Sequence, residues 1–407
     1  MKDNNNKILY ISAIYPYPKD CGEDFTFSKN IGELATSKYI DNTTLILGNK
    51  KLKQGEFPYP HINYEMFPYK KKSMGVMKKA FLYLFYVLFS KYPRGFTSFL
   101  TKELYEKINS EDANIVILDS IYSAAMLPKK NNYKLLYIVH NCEAILAYDI
   151  AKIQKNIFKK IYFYLQAKKI EKIENELISK ADLLLCISTS DYKYFSKLYH
   201  NKTKFRAISA NTGNGSWNGN NKKTLLFCGT IGHAPNKEAI EWIANYLSPI
   251  LDKDIQIKIA GRRTNQLPKE LDRPNIEYLG FVSDDELKKL YQTCSAFISP
   301  VVYGSGVKIK VTEAISYGMP IIATKESLEG LDYIDINPLI DRNNLQKTKE
   351  NIEKLLNNEI KLQQYSDEII EKLKKAKEKE NENILEKIMD ELLYKTKADA
   401  KQVSGEY

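Results

Sequence analysis

The sequence predicts an α/β fold built from two doubly wound domains, each a parallel sheet covered by helices. Short apolar runs rich in β-branched residues alternate with longer helical patterns. A stretch rich in Asn, Gly, Ser and Lys divides the chain near its middle, and 407 residues are enough for two separate cores. We expect a first domain over residues 1–207, a linker over 208–222, a second domain over 223–385, and a C-terminal helix or tail over 386–407 that packs back on the first domain.

Composition and charge restrict the class of protein. Hydrophobic residues make up 43% of the chain and charged residues 27%, which is ordinary for a globular protein. The net charge of +11 favours anionic partners, but no compact motif of aromatic residues and arginines accompanies it, so we expect no nucleic acid. The five cysteines are isolated and lack metal or redox spacing, as in reduced cytosolic proteins. Since MKDNNNK leads directly into a strand, we expect no signal peptide and a cytoplasmic protein.

The first domain opens on a buried-type strand over residues 8–14, and a loop then leads into a predicted helix over 25–35. A further strand is predicted over 43–47. In doubly wound folds, the loop after the first strand borders the ligand crevice. Gly22 in this loop is therefore a candidate for the ligand site, with a plain turn glycine as the alternative.

The segment 68–94 combines lysines with a continuous apolar and aromatic run. Such a segment can lie on the surface of an anionic bilayer, although its run over residues 80–89 is about half of a membrane span. A core helix with a solvated lysine flank is the alternative, and the lack of a polar face favours it slightly. Peripheral contact with the inner face of a membrane therefore stays as a second possibility.

Short apolar strands are predicted over residues 115–118 and 135–139, and His140 follows the second. A side chain just beyond the carboxyl end of a parallel strand projects into the ligand crevice. His140 is therefore a candidate for the site, with a structural strand cap as the alternative. A long basic helical pattern over 147–179 is expected to pack on the first sheet, with a partner-helix or membrane role as the alternative, before a last strand over 181–188.

In the second domain, a strand over residues 224–228 ends in Gly229 and Thr230, and a strand over 255–260 leads through a glycine to Arg262. A strand over 276–279 precedes a predicted helix that starts at residues 283–287 with its own capping residues. Glycines at strand ends let the backbone approach a ligand closely.

The stretch 299–324 organises the second domain. It is predicted to run from a strand over 296–302 through Gly304, Ser305 and Gly306 into a helix, and then into a strand over 321–324. Unpaired N–H groups of the first helical turn, with Lys308 beside them, suit a diphosphate. The alternative is that a glycine before the helix and a Gly-x-Pro after it only mark the helix ends, as in any α/β protein. Glu313 favours a ligand, because a carboxylate near a diphosphate needs donors such as the vicinal hydroxyls of a ribose.

This stretch resembles the nucleotide-sugar site of family 4 (group 1) glycosyltransferases of the GT-B fold, particularly bacterial members with G-S/G-G-x-K-x-K-x-x-E-A-x-x-x-G-x-P-x-x-x-T. The run YIVHNCEA is similar to the HN-x-E segment of that family, and residues 181–188 to its A-D-x-x-x-x-x-S pattern. The resemblance implies two Rossmann-like domains facing across a cleft. It also implies transfer of a hexose, with retention of configuration and without a metal or cofactor, from a UDP or GDP sugar to a glycan, lipid-linked saccharide or protein.

The resemblance also implies roles for single residues, and it places Gly22 in a loop on the acceptor side of the cleft. Glu313 takes the place of the family's ribose-binding glutamate, and His140 that of the histidine that contacts the transferred sugar or acceptor. Ser305 stands where the family has its first glutamate and cannot supply a carboxylate. Thr230 and Pro235 stand where many members have arginine and lysine. The donor diphosphate and sugar are therefore expected to meet Gly229, Thr230, Arg262, Gly304, Ser305, Gly306, Val307 and Lys308.

Two other functions fit the same fold. A non-catalytic binding or partner subunit would account for Ser305, Thr230 and Pro235. Glu313, Lys308 and His140 match the family pattern and favour an enzyme. A sugar-nucleotide epimerase would need further acid and base residues in the cleft, and no such set is evident in the sequence.

Overall fold

The structure is a computed structural model that describes residues 6–17, 22–49, 56–68, 89–93, 96, 100–130, 132–154, 156–206, 217–219, 221–303, 307–331, 334–380 and 383–403. The described chain forms two compact units. Unit 1 comprises Met1–Ile187, Asp191–Arg206 and Glu382–Tyr407, and unit 2 comprises Ser188–Ser190 and Ala207–Asn381.

The elements are numbered along the chain. The strands are β1 (Ile8–Ser12), β2 (Thr43–Asn49), β3 (Asn63–Pro68), β4 (Ile115–Asp119), β5 (Lys134–Val139), β6 (Leu183–Cys186), β7 (Thr203–Phe205), β8 (Asn221–Cys228), β9 (Gln256–Ala260), β10 (Ile276–Gly280), β11 (Cys294–Ser299) and β12 (Ile321–Ala323). The α-helices are α1 (Gly22–Ala35), α2 (Lys102–Ser110), α3 (Glu143–Lys152), α4 (Ile157–Lys180), α5 (Thr189–Leu198), α6 (Ala234–Trp242), α7 (Asp284–Thr293), α8 (Ile309–Ser316), α9 (Leu345–Leu356), α10 (Glu359–Glu380) and α11 (Ile384–Val403).

Unit 1 is built on a parallel sheet with strand order β3-β2-β1-β4-β5-β6-β7 among the described residues. β1 pairs with β2 on one side and with β4 on the other, so the winding direction reverses between β1 and β4. Every residue of β1 and of β4 is buried. Strands that are covered on both faces consist of continuous apolar runs, so the sequence alone predicts them. α11 lies against α1. The hydroxyl of Tyr39, which follows α1, donates to the Asp390 carboxylate of α11.

Unit 2 repeats the plan with strand order β10-β9-β8-β11-β12 in the part of the chain described. β8 pairs with β9 and with β11, so the reversal lies between β8 and β11. A buried cluster from both faces of this sheet forms the core, and Trp217 belongs to it, donating its indole N–H to the carbonyl of Cys294 at 2.7 Å. The predicted capping box of α7 is present: Ser283 accepts from the Glu286 N–H at 3.3 Å, and the Glu286 carboxylate accepts from the Ser283 N–H at 2.8 Å.

Several predicted bounds were wrong. The single helix expected over 147–179 is two helices, α3 and α4, because the Asn156 side chain caps α4 by accepting from the Lys159 N–H at 3.0 Å. β11 ends at Ser299, not at residue 302, since Pro300 has no N–H to continue the ladder. α1 begins at Gly22, three residues earlier than expected.

The lysine-rich and aromatic segment 68–94 falls largely outside the described residues, as do Gly304, Ser305 and Gly306. Among the helices that the structure describes, none has both the length and the apolar character needed to cross a membrane.

Candidate functional site

The carboxyl ends of β8, β9 and β11 lie at one edge of the unit 2 sheet, because the strands are parallel. Gly229 and Thr230 follow β8, Arg262 follows β9, and the segment from Pro300 to Lys308 follows β11. The reversal between β8 and β11 is where doubly wound sheets bind ligands. The structure therefore brings most of the predicted donor residues of unit 2 to the edge that the fold reserves for ligands.

Two glycines hold the first two loops of this edge against each other. The Gly229 N–H donates to the carbonyl of Ala260 at 2.9 Å, and a Cβ built on Gly261 would lie 2.1 Å from the Gly229 carbonyl oxygen. Gly261 also has a φ of +147°, which side chains rarely tolerate. The Asn236 side chain fixes the same turn by donating to the Thr230 carbonyl at 3.2 Å. The Thr230 side chain itself is exposed.

Two cationic residues lie on this edge. The Arg262 guanidinium lies 5.5 Å from the centre of the Phe281 ring, an exposed cation–π contact. Lys308 is the N-cap residue of α8, and its carbonyl accepts from the Val311 N–H at 2.8 Å. Val307 and Lys308 are half-buried. The positive end of the α8 dipole therefore faces the strand edge with a lysine beside it.

Glu313 lies one turn into α8 and is held by two neighbours. Its Oε2 accepts from the Tyr291 hydroxyl at 2.9 Å and from the Lys310 ammonium at 2.7 Å. The Glu313 side chain is 31% exposed, and no residue of the described chain hydrogen-bonds to its Oε1. One carboxylate oxygen is thus anchored by the protein, while the other is available to a donor such as a hydroxyl group.

Tyr291 is the residue of this site that sequence reasoning missed. It is fully buried, stacks on Tyr317 with ring centres 5.2 Å apart, and reaches Glu313 from α7. Burial first, and then the Glu313 carboxylate, raise the pKa of Tyr291 well above its usual value, so it stays a hydrogen-bond donor. Cys228, at the end of β8, lies in the same cluster: burial raises its thiol pKa to about 12, with Lys310 opposing the rise. No local pattern marks Tyr291, because its partner is 22 residues away.

In unit 1, His140 lies just beyond β5, as predicted, and its ring is fixed on two sides. Its Nε2 bonds to Oδ1 of Asp119, and its ring stacks on Phe27 with centres 4.6 Å apart and an angle of 21° between planes. The His140 side chain is 11% exposed. Since the Asp119 carboxylate accepts, this contact uses a hydrogen on Nε2, and a hydroxyl that donates to the ring would do so at Nδ1.

Asp119 ends β4 and is the centre of a buried polar network. Its Oδ2 accepts from the Asn30 side chain at 2.7 Å and from the Tyr10 hydroxyl. Arg206, itself 1% exposed, donates to the side-chain amide oxygen (Oδ1) of Asn30 and, at 3.0 Å, to the Glu33 carboxylate. Asp119 lies beside the reversal between β1 and β4, and its sequence signal is an acidic residue at the end of an apolar strand.

The loop after His140 is held by two distant carboxylates. Asp191 accepts from the Cys142 N–H at 2.8 Å, while Glu174 on α4 accepts from the N–H groups of Glu143 at 2.9 Å and Ala144 at 3.3 Å. Glu174 therefore caps the first turn of α3, where these N–H groups have no helical partner. Burial raises the pKa of Glu174 to about 7, against the opposing effect of the two backbone donors.

The predicted residues thus fall into two sets. Gly22, which starts α1, and His140 lie in unit 1, whereas Gly229, Thr230, Arg262, Val307, Lys308 and Glu313 lie in unit 2. Each set lies by the reversal point of its own sheet.

Comparison with known proteins supports the resemblance. Residues 222–358 match the family model of glycosyl transferases group 1. A Klebsiella pneumoniae protein described as an uncharacterized 44.6 kDa protein in the cps region is 25% identical over 345 residues, which cover 80% of this chain and 84% of the relative.

Solved structures share the fold. Anabaena HepE in complex with UDP and glucose has a TM-score of 0.58 at 12% identity, covering 96% of this chain and 100% of HepE. A Staphylococcus aureus TarM variant in complex with fondaparinux, alpha-GlcNAc-glycerol and UDP has a TM-score of 0.61 at 11% identity, covering 90% of this chain and 96% of TarM. These likenesses confirm the predicted fold class, two Rossmann-like domains of the GT-B type.

The family match bears out the predicted class of enzyme, a glycosyltransferase, whereas the subgroup with G-S-G-x-K-x-K-x-x-E stays a prediction. Residues 222–358 of this GT-B chain are therefore similar to a group 1 glycosyl transferase domain.

Proposed function

We propose that this protein is a retaining glycosyltransferase that moves a hexose from a UDP sugar to a glycan, lipid-linked saccharide or protein acceptor. The placement of Glu313 carries the proposal: it lies beside the end of β8, with one oxygen anchored by Tyr291 and Lys310 and the other available. HepE and TarM were each solved with UDP, which favours UDP over GDP as the nucleotide here. In this assignment the Glu313 carboxylate accepts from the ribose hydroxyls.

The donor loses a nucleoside diphosphate, so its developing negative charge needs fixed positive groups. Lys308, the first turn of α8 and Arg262 supply them at the edge of the unit 2 sheet. The bond between the anomeric carbon and the diphosphate oxygen breaks, and the acceptor oxygen bonds to that carbon on the same face. The leaving diphosphate takes the acceptor proton. We also propose that the transfer needs no metal ion or cofactor and that the protein is cytoplasmic.

His140 contacts the transferred sugar or the acceptor in this proposal. Asp119 holds the tautomer in which Nδ1 accepts, so a sugar hydroxyl can donate to it. Phe27 keeps the ring plane in place by stacking. Asp119 is therefore a positioning residue, acting through the imidazole.

The experiment is a thermal-shift and calorimetric panel of nucleoside diphosphates against the purified chain, since a ligand specific for the native state raises its stability. We expect UDP to stand out, and Glu313→Gln to weaken UDP binding about tenfold to a hundredfold, as for loss of a hydrogen bond to a charged group. The matched control is Glu350→Gln, at an exposed glutamate of α9 in the same unit.

Two outcomes contradict the proposal. Equal UDP affinity in the Glu313 and Glu350 variants would show that Glu313 does not bind the ribose. No response of the folded wild-type chain to any nucleotide would favour the non-catalytic partner subunit instead.

A further inference from the structure

Apolar side chains that face solvent are concentrated on the hairpin of α3 and α4. Of the eighteen large hydrophobic residues exposed in the described chain, eight lie between residues 145 and 165. They are Ile145, Ile150, Ile153, Ile157, Phe158, Ile161, Tyr164 and Leu165, and we name them the hairpin surface. Single exposed hydrophobics are normal on a protein, but a contiguous group marks an interaction site.

The helical geometry shows that these residues form a face. On α4, Ile157, Ile161 and Leu165 recur every four residues, opposite the face that buries Ala167, Ile173 and Leu177. The two helices pack against each other, and the Tyr148 ring of α3 contacts the Tyr164 ring at 5.6 Å. The hairpin surface therefore belongs to one rigid unit.

The end of the hairpin projects from unit 1. Every residue from 156 to 161 is exposed, so the first turns of α4 have no packed side. Phe158 at this end is 78% exposed and Ile157 is 60% exposed. A helix end that presents an isoleucine and a phenylalanine to water on all sides is stable only because the rest of α4 is anchored in the core.

The charge of the same stretch is positive. Residues 145–165 contain four lysines and one aspartate, a net of three positive charges, and two more lysines follow at 168 and 169. Lys159 and Lys160 are exposed beside Phe158, and Lys168 is exposed further along, with its ammonium over the Tyr164 ring at 5.2 Å. Long lysine side chains can keep their charge at a polar surface while their stems lie along apolar groups.

We propose that the hairpin surface docks on an anionic lipid bilayer. An apolar strip flanked by lysines matches the acyl boundary and the charged headgroups of such a surface. A second copy of the chain fits less well, because a two-fold contact would place the same lysine-rich face against itself. The inference goes beyond the transfer reaction and does not depend on it. It places membrane contact on α3 and α4, whereas the sequence favoured packing of this region on the first sheet, with a membrane role as the alternative.

The test is co-sedimentation of the purified full chain with vesicles of phosphatidylcholine, with and without phosphatidylglycerol. We expect binding only to the anionic vesicles, decreasing as salt is raised. Phe158→Ser with Ile161→Ser, and separately Lys159→Glu with Lys160→Glu, should each weaken the partition coefficient about tenfold or more. Thermal unfolding of each variant shows that the fold is kept.

Matched controls lie in unit 2. Ile360→Ser changes an aliphatic residue that is 72% exposed, and Lys288→Glu with Lys289→Glu reverses an exposed lysine pair on α7. Both controls should bind as the wild type does. The proposal is overturned if wild type fails to bind anionic vesicles at low salt, or if hairpin variants and controls bind alike. It is also overturned if light scattering shows a wild-type dimer that the hairpin variants convert to a monomer.

Discussion

Glu174 makes the stability of unit 1 depend on pH in a way that one substitution should remove. Burial raises its pKa from the usual 4.5 to about 7 in the folded chain. The folded state therefore holds this proton more tightly than the unfolded state does. Its contribution to stability is complete below about pH 4.5, decreases as the pH rises, and is lost once the pH passes about 7.

The size of the effect follows from the shift. A rise of roughly two and a half pKa units corresponds to about 3 kcal/mol at 1.36 kcal/mol per unit. Glu174→Gln cannot ionise, and its amide oxygen still accepts one of the N–H groups of α3. We expect the difference in unfolding free energy between wild type and Glu174→Gln to change by about 3 kcal/mol between pH 4.5 and pH 8 in favour of the variant.

The assay is urea unfolding at several pH values, combined with hydrogen exchange of the Cys142, Glu143 and Ala144 amides, which reports on unit 1 directly. The matched control is Glu171→Gln, at an exposed glutamate one turn earlier on α4, whose profile should run parallel to that of the wild type. If Glu174→Gln also runs parallel to the wild type from pH 4.5 to 8, the burial argument is wrong.

Three further outcomes are expected. Asp119→Asn turns its amide N–H2 towards His140, because Tyr10 and Asn30 need the oxygen. The hydrogen then moves to Nδ1; ¹⁵N NMR should show this tautomer and activity should fall, while an unchanged tautomer would contradict the assigned role. Gly261→Ala should destabilise unit 2 by about 2 kcal/mol or more, because its Cβ would lie 2.1 Å from the Gly229 carbonyl oxygen and its φ is positive. Gly232→Ala is the control, because the atom nearest to its added Cβ is the Thr230 hydroxyl oxygen at 3.8 Å. Equal unfolding midpoints of the two variants would show that Gly261→Ala causes no strain. Transfer should persist in excess EDTA, and its loss with recovery on adding Mg²⁺ would show a metal requirement.

The sequence was sufficient for features that are local. The strands were predictable because parallel strands buried on both faces are continuous apolar runs, as in β1 and β4. Ser283 and Glu286 cap α7 three residues apart, within the range of a local pattern. The break between α3 and α4 was missed, because Asn156 is a modest signal inside a strongly basic helical pattern.

The contacts that hold the candidate site are not local, and the sequence could not supply them. Glu174 reaches the first turn of α3 from 31 residues away, and Tyr10 reaches Asp119 from 109 residues away. Such pairs depend on which strands are neighbours and on the register between them. Only β1 beside β4 places Tyr10 next to Ile117 and within reach of Asp119. Single residues can thus be nominated from a sequence, but their orientation needs the fold.

The two units orient their candidate carboxylates by the same device. Tyr10 donates to Asp119 in unit 1 and Tyr291 donates to Glu313 in unit 2, and both tyrosines are fully buried. Burial raises both tyrosine pKa values well above the usual range, so neither hydroxyl loses its proton at working pH. The direction of each carboxylate is therefore set by a buried tyrosine of its own unit. A serine at position 305 in place of the family's glutamate leaves this anchoring of Glu313 untouched, which is the physical reason to expect nucleotide binding in spite of that substitution.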